Sequence, residues 1–124
     1  MLAPAVLRSQ WEGYPRYHRA RSNLLLHVAL VPLFLAGNIA VLVALAERRW
    51  LAALAAAALA GLSLAIQGVA HRREPVPPER FTGPCNAIAR ILLEQWLTFP
   101  RFVLSGAWTR ALRTRTTPST GNGP

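Results

Sequence analysis

Two long apolar runs dominate this sequence, residues 24–46 and residues 50–70, and neither contains an Asp, Glu, Lys or Arg residue. A helix of about 20 apolar residues is long enough to cross a hydrocarbon core about 30 Å thick. Only Glu47-Arg48-Arg49 separates the two runs, and so short a break forces the chain to reverse its direction. The pattern therefore predicts an all-α integral membrane protein built on an antiparallel two-helix transmembrane hairpin.

The sequence after the hairpin predicts helices that lie on the membrane rather than cross it. Residues 72–84 contain four prolines, which exclude a long regular helix and indicate a loop. Apolar residues then recur at helical spacing from Ile88 to Phe99, but charged residues within and just after this stretch argue against a third span. We therefore expect a C-terminal amphipathic or re-entrant helical segment, with interfacial helices over about residues 85–112.

Residue spacing also indicates local packing. Gly61 stands four residues from both Ala57 and Ala65, a spacing of small residues that permits close approach of two membrane helices. Arg90 and Glu94 are also four residues apart, which is the spacing of an ion pair on a helix surface.

A chain of 124 residues has room for one domain. We expect residues 1–113 to form a single membrane-embedded helical domain. Residues 114–124 are polar and rich in threonine, glycine and proline, so this tail is expected to be disordered.

The distribution of arginine predicts the orientation of the hairpin. All 14 basic residues are arginine, and the net charge is +9. Arginines are more frequent before and after the hairpin than in its turn, so the positive-inside rule puts both termini on the cytoplasmic side. The absence of lysine and the abundance of alanine and arginine suggest a bacterial inner membrane. We do not expect nucleic-acid binding, because no recognised motif accompanies the charge.

Three histidines are predicted to lie at one edge of the hairpin. His27 begins the first run and His71 directly follows the second, so an antiparallel hairpin brings them together. His18 precedes His27 by nine residues and can join them only if the chain bends around residues 19–22. Glu74 follows His71 by three residues and can point to the same centre. The sequence thus predicts three imidazoles and a carboxylate close to the cytoplasmic membrane surface.

Imidazole and carboxylate ligands suit iron, zinc or nickel, and two histidines with one carboxylate are typical of non-haem Fe(II) oxygenases. Each residue also has a simpler interpretation. A histidine at a helix end can serve the helix dipole or a lipid headgroup. Glu74 can pair with Arg72-Arg73 in solvent, Asn23 can cap a helix, and Tyr14 and Tyr17 can anchor the chain at the membrane interface.

Two stretches of the sequence resemble the motifs of a small membrane-protein family, over roughly residues 11–108. The first is Tyr17-His18-xxxx-Asn23-xxx-His27 followed by Val31-Pro32. The second is residues 67–75, which contain His71, Glu74 and Pro75, with Ala70 where the family's glycine precedes the histidine. The family includes the fungal 2-hydroxy-palmitic acid dioxygenase of fatty-acid α-oxidation.

The resemblance implies a membrane-embedded Fe(II)-dependent dioxygenase that uses O2 to shorten a 2-hydroxy fatty acid, or a similar lipid acid, by one carbon. It implies His18, His27 and His71 as iron ligands or essential catalytic groups, with Glu74 as a further catalytic residue. The substrate's acyl chain would lie between the helices or along the C-terminal segment.

Three residues beside the histidines are candidates for substrate binding. Arg72 or Arg73 would hold the substrate carboxylate by a charge-assisted hydrogen bond. Asn23 shares a helix face with His27 and is the third candidate.

Two other functions fit the same sequence. A non-enzymatic membrane protein would bind lipids or assemble with partners through its hairpin and arginine-rich edge. A zinc-dependent hydrolase would use the same histidines without consuming oxygen. Metal content separates both alternatives from an iron oxygenase. All three functions are compatible with a homo-oligomer.

Overall fold

The computed structural model describes residues 3–114, and every regular element among them is helical. Six α-helices follow one another along the chain: α1 (Ala3–Tyr17), α2 (Arg21–Ala46), α3 (Trp50–Ala70), α4 (Pro84–Leu93), α5 (Phe99–Leu104) and α6 (Ala107–Thr114). A 3-10 turn, His71–Arg73, follows α3, and a π-helical turn, Glu94–Thr98, joins α4 to α5. The predicted all-helical class is confirmed. The tail predicted to be disordered lies outside the described residues except for Thr114, which ends α6.

Helices α2 and α3 form an antiparallel hairpin whose turn is built by backbone hydrogen bonds. The amide of Arg48 donates to the carbonyl of Leu45 (3.1 Å), and the amide of Arg49 donates to the carbonyl of Ala44 (2.8 Å). This pair of bonds is a Schellman motif, which ends a helix by placing one residue in the left-handed region. Arg48 occupies that position with φ 57°, where glycine is more usual.

Both hairpin helices are long and apolar enough, by length and composition, to cross a membrane. The candidate spans are Arg21–Ala46 and Trp50–Arg73, and their most apolar 18-residue windows have mean hydropathies of 2.5 and 1.8. Only 22% and 28% of these windows are buried inside the protein, so most of their apolar side chains face outward.

The two helices approach each other closely at Gly37 and not at Gly61. A Cβ atom on Gly37 would lie 3.1 Å from the Cβ of Ala60 and 3.2 Å from the carbonyl oxygen of Ala56. A Cβ atom on Gly61 would meet nothing within 4 Å. The spacing of Ala57, Gly61 and Ala65 therefore does not mark the contact between α2 and α3, because Gly61 lies on the outer side of α3.

Alanine at these two glycines should have opposite consequences. Gly37→Ala adds a methyl group against a backbone carbonyl, so we expect it to destabilise the hairpin by about 1–3 kcal/mol. Gly61→Ala adds the same group in open space and should be neutral or slightly stabilising, by about 0.5–1 kcal/mol. Thermal unfolding in detergent, followed by circular dichroism, measures both. Equal melting temperatures for the two variants would contradict the close contact at Gly37.

The N-terminal residues form a helix that packs across the C-terminal half of the chain. Tyr14 is a candidate interface anchor by sequence, but α1 continues to Tyr17 and buries both Val6 and Tyr14. The side chain of Gln10 donates to the carbonyl of Arg90 (2.7 Å) and accepts a hydrogen bond from Thr98 (2.8 Å). These bonds hold α1 against α4 and the π-helical turn.

Helices α4 and α5 are continuous through the π-helical turn, where the amide of Phe99 donates to the carbonyl of Glu94, five residues earlier. Pro100 follows directly and has no amide hydrogen, so a regular helix would leave a carbonyl unpaired there. The wider turn is one of the ways in which helices accommodate such a break. Phe99 and Phe102 then join the buried core with Tyr14 and Leu24. The predicted apolar stripe before them stays exposed, as Ile88, Leu92 and Trp96.

Candidate metal centre

Three imidazole rings meet where α1, α2 and α3 come together. The ring centroids of His18, His27 and His71 are 4.8–5.0 Å apart, and each pair of rings is nearly perpendicular. His18 reaches this point because α1 ends at Tyr17 and residues 18–20 are not helical. The structure thus brings together the three histidines singled out in the sequence, with the bend placed just before α2.

Hydrogen bonds to backbone carbonyls orient two of the rings. The Nδ1 atom of His18 lies 3.0 Å from the carbonyl oxygen of Tyr14, and that of His27 lies 3.0 Å from the carbonyl oxygen of Asn23. Because a carbonyl only accepts, we assign the proton of each ring to Nδ1, which leaves the Nε2 lone pair free. Histidine ligands of metals are typically held by such a second hydrogen bond.

Two ring nitrogens in this group are buried without a hydrogen-bond partner among the described residues. They are Nε2 of His18 and Nδ1 of His71. An unpaired buried polar atom is costly, by about 1–3 kcal/mol, so it usually marks a missing partner. A metal ion is a suitable partner for unprotonated imidazole nitrogens, and these residues therefore fit one.

The carboxylate that completes the group belongs to Glu94, in the π-helical turn. Its Oε1 atom lies 3.6 Å from Nε2 of His18 and accepts a hydrogen bond from the hydroxyl of Tyr14 (3.1 Å). One ligand atom from each of His18, His27, His71 and Glu94 can be chosen so that all lie within 4.8 Å of one another. The aromatic ring of Tyr14 also stacks on His18, with centroids 3.8 Å apart.

The sequence alone does not identify Glu94 as a candidate ligand, because its helical spacing from Arg90 suggests a surface ion pair. In the structure, the guanidinium of Arg90 instead donates to the carbonyls of Glu79 and Arg80 and lies 4.6 Å from the ring centroid of Phe81. One signal was available in the sequence. Glu94 and Gln95 interrupt the mainly apolar residues 91–99, which precede the helix-breaking Pro100.

Glu74 has a different position from the one we expected. Its carboxylate accepts hydrogen bonds from the amides of Arg19 and Ala20 and from the side chain of Asn23, at 2.8–3.0 Å. The N-cap residue of α2 is Ala20, whose methyl side chain cannot accept a hydrogen bond from the first amides of the helix. Glu74 therefore holds the bend between α1 and α2 and supplies negative charge at a helix N-terminus. It is not part of the four-residue group.

The proposed substrate arginines do not line the cavity that adjoins the histidines. Arg72 and Arg73 are exposed in the 3-10 turn. Asn23 is fully buried and engaged with Glu74, so it shapes the bend rather than an open surface. Arg80 and Arg90 are the arginines that line the cavity.

Burial keeps the group close to neutral when it holds no cation. Burial raises the pKa of Glu94 to about 7. Burial, and then the neighbouring His27 and His71, lower the pKa of His18 well below its usual value. Burial, and then Glu94, raise the pKa of Tyr14 well above its usual range, so its hydroxyl remains a donor. A cation would reverse the first of these effects by favouring the ionised carboxylate.

Metal binding should depend on pH through a single proton. The groups that face Glu94 are Tyr14, His18, His27, His71 and Arg90. His18 is neutral near pH 7, because burial and the neighbouring imidazoles lower its pKa. Below pH 7, a metal must therefore displace the proton of Glu94, so affinity should fall about tenfold per pH unit and level off above pH 7. Chelator competition between pH 5.5 and 8.5 measures the slope, and a slope of three protons would contradict this expectation.

A cavity of about 440 Å³ adjoins the group. Its walls include the three histidines, Tyr14 and Glu94, together with one face of α3 and residues 78–82 of the loop. Small-molecule sites typically have volumes of about 300–1,000 Å³. The candidate metal ligands therefore border a space large enough for an organic ligand.

Buried amides connect α3 to the π-helical turn beside Glu94. Gln67 and Gln95 exchange two hydrogen bonds (2.7 and 3.1 Å), and Gln67 also donates to Ser63 (3.1 Å). The hydroxyl of Ser63 donates to the carbonyl of Leu30 on α2 (2.7 Å). This network joins the hairpin to the turn that carries Glu94, so packing within the hairpin fixes the position of the carboxylate.

Three imidazoles and one carboxylate form a nitrogen and oxygen ligand set, which suits Fe(II), Zn(II) or another divalent transition metal. The cavity beside the ligands is what a catalytic site requires and a purely structural site does not. No protein-family model, no curated protein and no solved structure matches this chain.

Proposed function

We propose that this protein is a membrane-embedded Fe(II)-dependent dioxygenase that acts on 2-hydroxy fatty acids or a similar lipid acid. The observation that carries the proposal is the group of three histidines and one glutamate, with ligand atoms within 4.8 Å, beside a cavity of about 440 Å³. The unpaired nitrogens of His18 and His71 support metal binding. The resemblance of the two histidine motifs to the dioxygenase family supports iron and the substrate class.

The proposed reaction balances without a further reductant. A 2-hydroxy acid and O2 yield the acid one carbon shorter, CO2 and water. The bond between C1 and C2 breaks, C1 leaves as CO2, and C2 becomes the new carboxyl carbon. Four electrons pass from the substrate to O2. Iron, when bound, supplies the redox chemistry and the template that orients the two reactants.

The residues around the group have distinct parts in this proposal. Tyr14 donates to Glu94 and fixes the orientation of its carboxylate. The aromatic residues Phe99 and Tyr14 pack around the histidines and exclude water from that side. Arg80 lines the cavity, and within residues 3–114 its side chain has neither a hydrogen bond nor an ion pair, so its guanidinium can receive the substrate carboxylate.

The outward-facing apolar side chains support a membrane location. Leu42, Leu51 and Leu54 on the hairpin are each more than 60% exposed. Soluble monomers rarely expose a large continuous apolar surface, whereas a bilayer covers one. The exposed stripe of Ile88 and Trp96 would then lie at the interface, with both termini on the cytoplasmic side of a bacterial inner membrane.

Metal analysis with oxygen uptake tests the proposal. The protein would be purified anaerobically in detergent and given 2-hydroxyhexadecanoate, with hexadecanoate as the control substrate. We expect about one iron per chain and one O2 consumed per CO2 released, with the hydroxy acid only. Zinc without oxygen uptake would replace the proposal with a hydrolase. Absence of any metal would leave a lipid-binding membrane protein.

Replacing Arg80 should weaken substrate binding without affecting the metal. We expect Arg80→Gln to raise KM for 2-hydroxyhexadecanoate by about tenfold. This is the effect of losing a weak charge-assisted hydrogen bond, and a weak one is expected because Arg80 is exposed to solvent. Arg72→Gln is the matched control, since Arg72 is exposed but does not line the cavity. Equal KM values for the two variants would remove Arg80 from the substrate site. Steady-state oxygen uptake provides the measurement.

A further inference from the structure

Gly68 on α3 borders open space rather than another helix. A Cβ atom on this residue would meet nothing within 4 Å, and Gly68 is among the residues that line the cavity. Glycine in a membrane helix usually permits close packing of a neighbouring helix, as Gly37 does in this chain. Gly68 has no such neighbour, so the space left by its missing side chain belongs to the cavity.

The wall around Gly68 leads from the histidines into the apolar hairpin. Leu64 and Gly68 also line the cavity and share a helix face with His71, because they precede it by seven and three residues. At 1.5 Å per residue, the stretch from Leu64 to His71 extends about 10 Å along the helix axis. Leu64 lies well inside the candidate span Trp50–Arg73. The cavity therefore extends from the histidine–glutamate group to Leu64, inside the apolar part of the hairpin.

The polar groups along this wall satisfy one another. Gln67 and Gln95 line the cavity, but each amide oxygen accepts a hydrogen bond from the other side chain. The amide nitrogen of Gln67 also donates to Ser63. The apolar side chain of Ile91 on α4 adds to the lining. A hydrocarbon chain can lie here without leaving these amides unpaired.

We propose that the space beside Leu64 and Gly68 holds the alkyl chain of a single-chain lipid acid, which places its polar head at the histidine–glutamate group. The position of the head rests on the proposed function. The position of the chain rests on the open space at Gly68 and on the apolar surroundings of Leu64, and it can be tested separately.

Tryptophan at Gly68 and at Gly61 provides a matched pair of variants. Both glycines are on α3 and have open space at Cβ, but Gly61 does not line the cavity. The probe is radiolabelled 2-hydroxyhexadecanoate bound to the full chain in detergent, with 2-hydroxybutanoate as a short-chain competitor. We expect Gly68→Trp to weaken binding of the long acid at least tenfold, with binding of the short acid and metal content unchanged. Gly61→Trp should bind both acids as the unaltered protein does.

Several results would overturn the inference. They are unchanged binding of the long acid by Gly68→Trp, equal losses for both acids, and a change in oligomeric state, which would show that a second copy covers Gly68. If Gly68→Trp does not fold, Gly68→Ala and Gly68→Leu must shorten the preferred chain length progressively, and an unchanged preference overturns the inference. Metal content and oxygen uptake are read separately. A protein without iron whose Gly68 variants still lose the long acid would therefore overturn the proposed function and keep this inference.

Discussion

A variant with both His27→Ala and His71→Ala is expected to purify without iron, whereas the unaltered protein should carry about one ion per chain. The two residues supply half of the ligand atoms that lie within 4.8 Å of one another. Complete structural metal sites contribute about 10–16 kcal/mol of binding free energy, so the loss of two ligands leaves too little to retain the ion. Oxygen uptake with 2-hydroxyhexadecanoate should fall to background.

The control for this variant is Gly61→Ala, which changes the outer side of α3, outside the ligand group and the cavity. It should keep its iron and its activity. Circular dichroism should show the same helix content for all three proteins, because alanine is a strong helix former and the two histidines lie near the start of α2 and just after the end of α3. Retention of stoichiometric iron by the double histidine variant would refute the metal site.

The second large effect distinguishes the two glutamates. Glu94→Gln keeps the size of the side chain but removes the charge that would bind a metal. Replacing a residue that only hydrogen-bonds to a metal ligand typically lowers metal affinity by up to about 100-fold. Because Glu94 would be a ligand itself, we expect its loss to lower the affinity at least about 100-fold. Glu74→Gln should instead lower the stability of the fold. An amide has one acceptor oxygen and cannot replace both carboxylate oxygens toward the amides of Arg19 and Ala20. The loss should be about 2–4 kcal/mol, because Glu74 is buried and its hydrogen bonds are charge-assisted.

Two measurements on each variant separate these roles: metal affinity by chelator competition at low temperature, and the melting temperature of the metal-free protein. We expect Glu94→Gln to change the first and Glu74→Gln to change the second. A Glu74→Gln protein with a normal melting temperature and no metal would make Glu74 a metal ligand. Normal metal affinity in Glu94→Gln would remove Glu94 from the site.

The meeting of the histidines could be predicted because it depends on simple geometry. Any antiparallel hairpin with a three-residue turn puts the start of its first helix beside the end of its second, and His27 and His71 stand at those positions. His18 could join them only through a break in the helix, and the structure has that break directly after Tyr17. The same geometry could not tell which carboxylate joins the histidines. Glu74 and Glu94 each follow the end of a helical segment, so their positions in the sequence do not distinguish them.

Tyr14 illustrates the same limit. Its neighbours in the sequence, with arginines and another tyrosine, are typical of a membrane interface. In the structure only 3% of Tyr14 is exposed. It contacts Phe102 and Glu94, which are more than 75 residues further along the chain. No periodic pattern within residues 3–17 indicates that contact, because it depends on how α1 lies across the C-terminal helices.

The sequence by itself determined the helical class, the hairpin and the edge at which the histidines meet, because length, hydropathy and a short turn act locally along the chain. Only the tertiary structure decided which glutamate completes the group and which one holds the bend before α2. That decision depends on the π-helical turn before Pro100 and on the side chains that hold this turn against α1 and α3. Such contacts join residues far apart in the chain, and their geometry follows from packing rather than from any local pattern.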